Sequence, residues 1–274
     1  MSRIRRPTRD ATSGQPEAPS RVLTLAAAEG EPPAEHRATT AAGTPAAVVP
    51  VPPGDDFEPR RRSERLGRLF NIGCALVMLL IALPVMLVTA LAISVTSKGP
   101  IFYTQTRVGI DRRWNRTRAL RERRREDLGG IPFTIYKFRS MRIDAEVNGQ
   151  AVWATQNDDR VTTIGRFIRK SRIDELPQLW NVLKGDMNIV GPRPERPSIF
   201  VRLREQVEGY QLRQRVRPGI TGLAQISNPY DRDLDDVRRK VHFDVEYMKR
   251  QGVLEDMRIM ARTVPVMLFR IGGW

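Results

Sequence analysis

Among 274 residues there is a single cysteine, Cys74, and there are two histidines, His36 and His242. One thiol cannot close an internal disulfide, and two imidazoles cannot build a His-rich zinc site or a redundant proton relay. Aromatic residues make up only 7% of the chain, and none occurs before Phe57. From Met1 to about Asp56, Pro, Ala, Gly, Thr and Glu dominate, as in Val49-Pro50-Val51-Pro52-Pro53-Gly54. Such a stretch cannot bury enough apolar surface to offset chain entropy, so residues 1–60 are expected to form a disordered tail. It is not a secretory signal, because the apolar run lies too far in and no small-residue cleavage site follows it. Negative charge is also scarce: 31 Asp and Glu stand against 46 Lys and Arg, a net +15. That imbalance calls for an anionic partner, and nucleic acid, lipid headgroups and phosphorylated substrates all qualify. Any chemistry must rest on carboxylates and cations.

Charge vanishes altogether between Leu69 and Thr96. The run exceeds the roughly 20 residues that a spanning helix needs, while the rest of the chain is too polar for a multi-span transporter. Arg60, Arg61, Arg62, Arg65 and Arg68 precede it, and Lys98, Arg107, Arg112 and Arg113 follow it. Positive charge marks the cytoplasmic side, and here both flanks claim it. Pro84 lies near the middle, where it removes a backbone donor and crowds the preceding turn. Residues 61–98 therefore read as a re-entrant membrane helix broken at Pro84, with an ordinary kinked span as the alternative.

After Gly99-Pro100 come short strand-like runs, Ile101-Phe102-Tyr103-Thr104 and Pro132-Phe133-Thr134-Ile135-Tyr136-Lys137-Phe138. Residues 99–274 are expected to form a compact cytoplasmic α/β domain, mainly helical, with short strands and interfacial amphipathic helices. A basic insertion at about 111–128 holds eight arginines between Arg112 and Arg125. It reads either as a solvated loop or as a contact with anionic membrane lipid, to which each basic residue contributes about 1 kcal/mol. Nucleic acid is not expected, since no helix-turn-helix, zinc-finger or RNA-binding pattern accompanies the charge. The stretch from Val253 to Trp274 mixes apolar residues with Arg258, Arg262 and Arg270, and reads as an interfacial helix or as an amphipathic helix packed on the core.

The most informative residues are Asp174 and Glu175, followed by Leu176-Pro177-Gln178-Leu179-Trp180. Proline is tolerated in the first turn of a helix, so a helix is expected to begin near Asp174 and to place it at or beside the N-cap. A cap is the bland role for that aspartate. The same helix end would keep a carboxylate ionised and attract phosphate, and Glu175 beside it offers a hard oxygen for Mg²⁺ carried on a diphosphate. Arg193 stands between prolines in Gly191-Pro192-Arg193-Pro194, where a restricted backbone suits a bidentate phosphate contact. A second turn, Arg217-Pro218-Gly219-Ile220-Thr221-Gly222, places glycines where backbone could approach a ligand.

Four runs together, Phe133 to Met141, Arg172 to Met187, Gly191 to Pro194 and Arg217 to Gln225, resemble the bacterial sugar transferases called monotopic phosphoglycosyl transferases, over roughly Arg65 to the C-terminus. The resemblance implies a polyprenol-phosphate sugar-1-phosphate transferase, of the small form, at the cytoplasmic face of the bacterial inner membrane. It would act on a UDP-sugar and undecaprenyl phosphate, release UMP and begin an exopolysaccharide, O-antigen or related glycan. Carried over to matching positions, it makes Asp174 the nucleophile and Glu175 the ligand of Mg²⁺. Lys137, Arg169 and Arg193 become phosphate-binding cations, with Arg217 and Asp256 as further candidates. It also implies re-entry at a helix-breaking proline, although Leu83 stands where members often carry Ser. The sugar does not follow from the sequence, since Ile226-Ser227-Asn228-Pro229-Tyr230-Asp231 departs from the basic pattern of some small members. A homodimer is left open. Two non-catalytic readings stand beside this one: an idle scaffold for glycan assembly, and a membrane-tethered module that binds anionic lipid or nucleic acid.

Overall fold

The computed structural model describes residues 57–113, 127–145, 158–227 and 233–269. The expected tail up to residue 56 lies outside the described residues, but its expected boundary at residue 60 is corrected. Phe57 packs into the main core and the Arg60 N–H donates to the Met248 carbonyl at 3.0 Å, so an aromatic side chain and a backbone bond draw residues 57–60 into the fold.

Helix α1 runs from Glu64 to Thr96 behind Ser63, whose hydroxyl accepts from the Leu66 N–H at 3.3 Å, as a capping serine does. It is long and apolar enough to cross a membrane. Leu80, Ile81, Val88 and Leu91 are between 65% and 74% exposed, far more than a soluble core helix would leave in water. Gly67, Asn71 and Ala75 near one end and Thr89 and Ile93 near the other are buried against the rest of the protein. The helix is continuous through Pro84, which corrects the expected break. Proline removes only the one amide that would bond back a turn, and the next turn is reinforced by the Thr89 hydroxyl, which donates to the Val85 carbonyl at 2.7 Å.

Strands β1, Phe102–Val108, and β2, Pro132–Phe138, pair antiparallel, with Phe102 opposite Phe138 and Val108 opposite Pro132. β1 is longer than its aromatic start suggested, because Gln105, Thr106 and Arg107 continue the ladder. Residues 114–126 of the basic insertion lie outside the described residues, so neither reading of it is decided. Just beyond them, Arg113 pairs with Asp111 at 3.1 Å and also with Asp127, which Arg204 meets at 3.0 Å.

Short elements follow: α2 (Thr163–Lys170), a 3₁₀ turn (Ile173–Glu175), α3 (Gln178–Lys184), β3 (Asn188–Val190), α4 (Pro197–Gln206), a second 3₁₀ turn (Tyr210–Arg215), β4 (Gly219–Thr221) and α5 (Leu223–Ser227). The fold closes with α6 (Leu234–Arg250) and α7 (Val253–Phe269). β3 and β4 pair in parallel, Asn188 opposite Gly219 and Val190 opposite Thr221. The glycines of the two turns serve this pairing. A Cβ on Gly219 would lie 2.1 Å from the Gly191 nitrogen, and one on Gly222 would lie 2.2 Å from the Gly191 oxygen.

Val237, Val241 and Val245 recur at four-residue spacing on α6 and enter a core with Leu179, Val182, Ile189 and Tyr210. α7 answers to both readings of the C-terminal stretch. Ile259 is buried in the core, while Leu254 and Val264 are 82% and 55% exposed and leave an apolar face open.

Candidate active site

The site assembles where β2, the first 3₁₀ turn and the loop after β3 meet. Asn181, wholly buried on α3, fastens that helix to β2: its Oδ1 accepts from the Tyr136 N–H at 3.1 Å and its Nδ2 donates to the Thr134 carbonyl at 2.7 Å. Lys137, next along β2, is thereby brought to the turn that precedes α3.

That turn differs from the expected helix start. α3 begins at Gln178, with Pro177 in the cap position, and Asp174 lies a turn earlier in the 3₁₀ segment. Pro177 lacks an N–H and so opens the helix instead of sitting inside its first turn. Before it the backbone turns sharply through Arg172, whose φ of 58° makes it the one non-glycine residue with a left-handed backbone among the described residues. Such a conformation costs a bulky residue free energy and persists where its surroundings hold it. The Asp174 carboxylate therefore caps no helix. Among the described residues its one ion pair is with Lys137 Nζ, at 3.7 Å from Oδ2.

Glu175 is held quite differently. Its Oε1 receives Lys137 Nζ at 2.9 Å and Arg193 Nη2 at 2.8 Å. The two carboxyls are buried to the same extent, yet their protonation is pushed apart. Burial raises the Asp174 pKa, Lys137 pulls it back and the neighbouring Glu175 charge raises it again. Burial would raise Glu175 too, but Arg193 and then Lys137 outweigh it and hold that carboxyl well below the usual range. One carboxylate is thus locked as an anion by two cations, while its neighbour, equally buried, makes no hydrogen bond among the described residues.

Arg193 owes its aim to the loop that carries it. Gly219 N–H donates to the Pro192 carbonyl at 2.9 Å, Arg213 Nη2 to the Arg193 carbonyl at 3.1 Å, and Arg107 Nη1 to the Pro194 carbonyl at 3.2 Å. Arg213 is itself fixed by Asp244 at 2.6 Å and by the Tyr210 hydroxyl at 2.7 Å, and Lys240 pairs with Glu195 at 3.0 Å. The other fork of Arg193, Nη1, donates to Gln225 Oε1 at 3.1 Å, while Gln225 Nε2 is buried with no partner among the described residues. A buried donor left unpaired costs about 1–3 kcal/mol, so it marks a place for an acceptor from a ligand.

Asp174, Glu175, Lys137 and Arg193 are therefore one constellation. Arg169, at the end of α2, is close enough for its charge to favour the Asp174 anion without bonding to it. Arg217 and Asp256 are not brought to this constellation. Arg217 Nε donates to the Gly185 carbonyl at 3.1 Å, and Asp256 accepts from the Tyr247 hydroxyl at 2.8 Å and pairs with Arg62 at 3.2 Å. Gln225, Asn181 and the Arg213 network were not singled out from sequence. Gln225 alone had a local signal, as a polar residue among Leu223, Ala224 and Ile226 directly after the second glycine turn.

No group of three or more His, Cys, Asp or Glu side chains gathers among the described residues, so they hold no closed protein cage for a metal. Two adjacent carboxylates are nevertheless what Mg²⁺ takes from a protein when substrate phosphates supply its other ligands. The donor set fits a metal of that kind.

A sequence model of the family described as bacterial sugar transferase matches residues 62–270. The UDP-glucose:undecaprenyl-phosphate glucose-1-phosphate transferase of Escherichia coli (strain K12) is 39% identical over 218 residues, 79% of this chain and 43% of that protein. The UDP-N-acetylgalactosamine-undecaprenyl-phosphate N-acetylgalactosaminephosphotransferase of Aeromonas hydrophila is 40% identical over 190 residues, 69% of this chain and 40% of that protein. A UDP-glucose:undecaprenyl-phosphate glucose-1-phosphate transferase of Caulobacter vibrioides is 35% identical over 212 residues, 77% of this chain and 72% of that protein. The chain thus spans less than half the length of the first two and most of the third.

Proposed function

The chain belongs to the bacterial sugar transferase family, and on that premise we propose that it transfers a sugar-1-phosphate from a UDP-sugar to undecaprenyl phosphate. UMP and a polyprenyl-diphosphate sugar are the products, and the step begins a glycan at the cytoplasmic face of the bacterial inner membrane. The observation that carries this reading is the split pair: a buried Asp174 without a hydrogen bond beside a Glu175 held by Lys137 and Arg193. In the first half-reaction an Asp174 carboxylate oxygen attacks the sugar-bearing phosphorus. The bond from that phosphorus to the bridging oxygen breaks, and its electron pair leaves with UMP. In the second, a phosphate oxygen of undecaprenyl phosphate attacks the same phosphorus, and the Asp174–phosphorus bond breaks to return the carboxylate.

Lys137 and Arg193 face the oxygens that gain charge in both steps, and Gln225 Nε2 adds a neutral donor. Glu175 fixes these two cations, so that they need no reorganisation as charge develops. Mg²⁺ held by Glu175 would neutralise charge on the diphosphate and on the leaving UMP. The direct assay is UMP release by the purified protein with Mg²⁺, undecaprenyl phosphate and a panel of UDP-sugars. Release is expected with at least one sugar and is expected to become catalytic only when the acceptor is present. Silence across the whole panel would leave the idle scaffold as the better reading.

Although α1 is not interrupted at Pro84, contacts at both of its ends support a helix that bends and returns to the side it entered from. Near its start, Arg68 donates to the Val182 and Leu183 carbonyls and Asn71 Oδ1 accepts from the Ile189 N–H at 2.6 Å. Just past its end, Arg139 donates to the Ser97 and Lys98 carbonyls at 2.7 and 2.9 Å. A straight helix of 33 residues is about 50 Å long, well beyond the ~30 Å hydrocarbon layer, so a simple span would carry one of these ends to the far side. Cysteines placed at Ser63 and Lys98 in a Cys74-free background are expected to react with an impermeant thiol reagent from the same, cytoplasmic, side. Labelling from opposite sides would establish an ordinary span.

A further inference from the structure

Arg68 and Arg217, which donate to carbonyls at the C-terminal end of α3, line a cavity of about 410 Å³, whereas the carboxylate pair lies just before the N-terminal end of that helix. The seven residues of that helix alone are about 10 Å long. Six arginines line the cavity, Arg60, Arg61, Arg62, Arg68, Arg215 and Arg217, against two carboxylates, Glu58 and Glu64. Several of the guanidiniums are anchored without being neutralised. Arg68 donates to the Val182 and Leu183 carbonyls and Arg217 Nε to the Gly185 carbonyl, and a carbonyl bond leaves the full positive charge in place. Arg62 does have a counter-ion, Asp256 at 3.2 Å. Arg61 is exposed and pairs with no carboxylate among the described residues. The positive end of α1 opens at the same place, since Glu64 and Gly67 also line the cavity.

A second observation points to a ligand. Asn188 lines the cavity, is only 3% exposed, and its Nδ2 is buried with no partner among the described residues. An amide donor is seldom buried unpaired. Here it stands at a cationic cavity. The crowding shows in Arg217, whose pKa is lowered by burial and by Arg112, Arg62 and Arg68. A group that likes neither its burial nor its like-charged neighbours is relieved by an anion.

We propose that this arginine cleft is a second anion site, distinct from the Asp174–Glu175 site, that binds one phosphate group through the Arg61 and Arg217 guanidiniums and the Asn188 amide. Guanidinium forks match phosphate oxygens in pairs, and a neutral amide donor completes the set without adding charge. The phosphate can belong to a phospholipid headgroup or to a soluble compound. The cleft adjoins the start of α1, where the exposed apolar surface begins at Leu66 and Leu69, so both sources reach it.

The test uses the full chain, freed of lipid in neutral detergent, and reads binding and not turnover. One arm titrates inorganic phosphate by calorimetry. The other counts retained phosphatidylglycerol by native mass spectrometry, with diacylglycerol, the same lipid without phosphate, as control. Arg61→Gln/Arg217→Gln is compared with Lys137→Gln/Arg193→Gln, which alters the catalytic constellation alone. The first pair is expected to weaken binding on the order of tenfold to hundredfold, the loss of one or two charge-assisted hydrogen bonds, while the second leaves one phosphate-dependent site intact. Retention of phosphatidylglycerol but not diacylglycerol assigns the site to lipid; inorganic phosphate binding that phosphatidylglycerol does not displace assigns it to a soluble ligand. Arg61→Glu, at an exposed position, serves as a check that survives any misfolding of the double variant. The proposal is overturned if the cleft variants bind both probes like the parent, or if Lys137→Gln/Arg193→Gln abolishes all phosphate binding.

Discussion

Replacing Asp174 by Asn is expected to lower turnover by at least about 10³, because the amide keeps the shape of the side chain and loses the charged nucleophile. Its effect on stability should be small, within about 1 kcal/mol, and the structure supplies the reason. Asp174 caps no helix and makes no hydrogen bond among the described residues, so none is lost. Burial raises its pKa, which means that the folded state binds this proton more tightly than the unfolded chain does. That contribution favours folding at acid pH and is lost as pH rises through the raised value, so at neutral pH the ionised carboxylate is a mild burden that Asn removes. The loss of the Lys137 partner works in the opposite direction. Wild-type turnover should fall on acidification at a pH above the ordinary aspartate range, while Glu175, held low by Arg193 and Lys137, stays ionised. With UDP-sugar supplied and acceptor withheld, intact-protein mass spectrometry is expected to find a sugar-phosphate on Asp174. Near-normal turnover by the Asn variant, or an adduct on another residue, would remove Asp174 from the nucleophile's place.

Much of this constellation was legible in one dimension because its members sit in short, chemically dense runs. Asp174 and Glu175 are adjacent and Arg193 is set between prolines, whereas Lys137 stood out only through the family resemblance of the run Phe133 to Met141. The local geometry was less legible. Pro177 suggested a helix beginning at Asp174, but the chain makes a separate 3₁₀ turn there after a left-handed Arg172, which no propensity favours. β3 and β4 are three residues each and pair across about thirty residues of chain, too short for any alternation to show. Pro84 was expected to break α1, yet one missing hydrogen bond in a long apolar helix leaves the helical backbone continuous. Arg217 and Asp256 matched expected positions in sequence, and the fold sends one to the arginine cleft and the other to Tyr247 and Arg62. Nothing in the sequence singles out Glu195, Arg213, Lys240 or Asp244. Only tertiary packing brings them together beneath Arg193.

That buried network carries the largest expected effect on stability. The Arg213 side chain is wholly buried, with Asp244 at 2.6 Å, the Tyr210 hydroxyl at 2.7 Å and the Arg193 carbonyl at 3.1 Å. Arg213→Met fills a similar length with apolar atoms but leaves Asp244 as an uncompensated carboxyl in the core. Burial already raises the Asp244 pKa and Arg213 is the first charge that holds it down, so the variant forces either a stranded anion or uptake of a proton. Breaking a buried pair from one side costs about 3–5 kcal/mol, which for a chain of this size lowers the melting temperature by roughly 6–20 °C. Removing both charges is a different matter. Arg213→Met/Asp244→Leu strands no ion there, and Glu195 keeps Lys240 at 3.0 Å, so the double variant should regain at least half of the lost stability. Activity should not return to the same extent, because the Arg193 carbonyl has still lost its donor and the guanidinium that holds Glu175, and is proposed to bind the substrate phosphate, is less firmly aimed. Thermal melts and UMP release on the three proteins separate the two effects. A single variant that melts within a few degrees of the parent would show that the pair is not a support of the fold, and full activity in the double variant would show that Arg193 is aimed without Arg213.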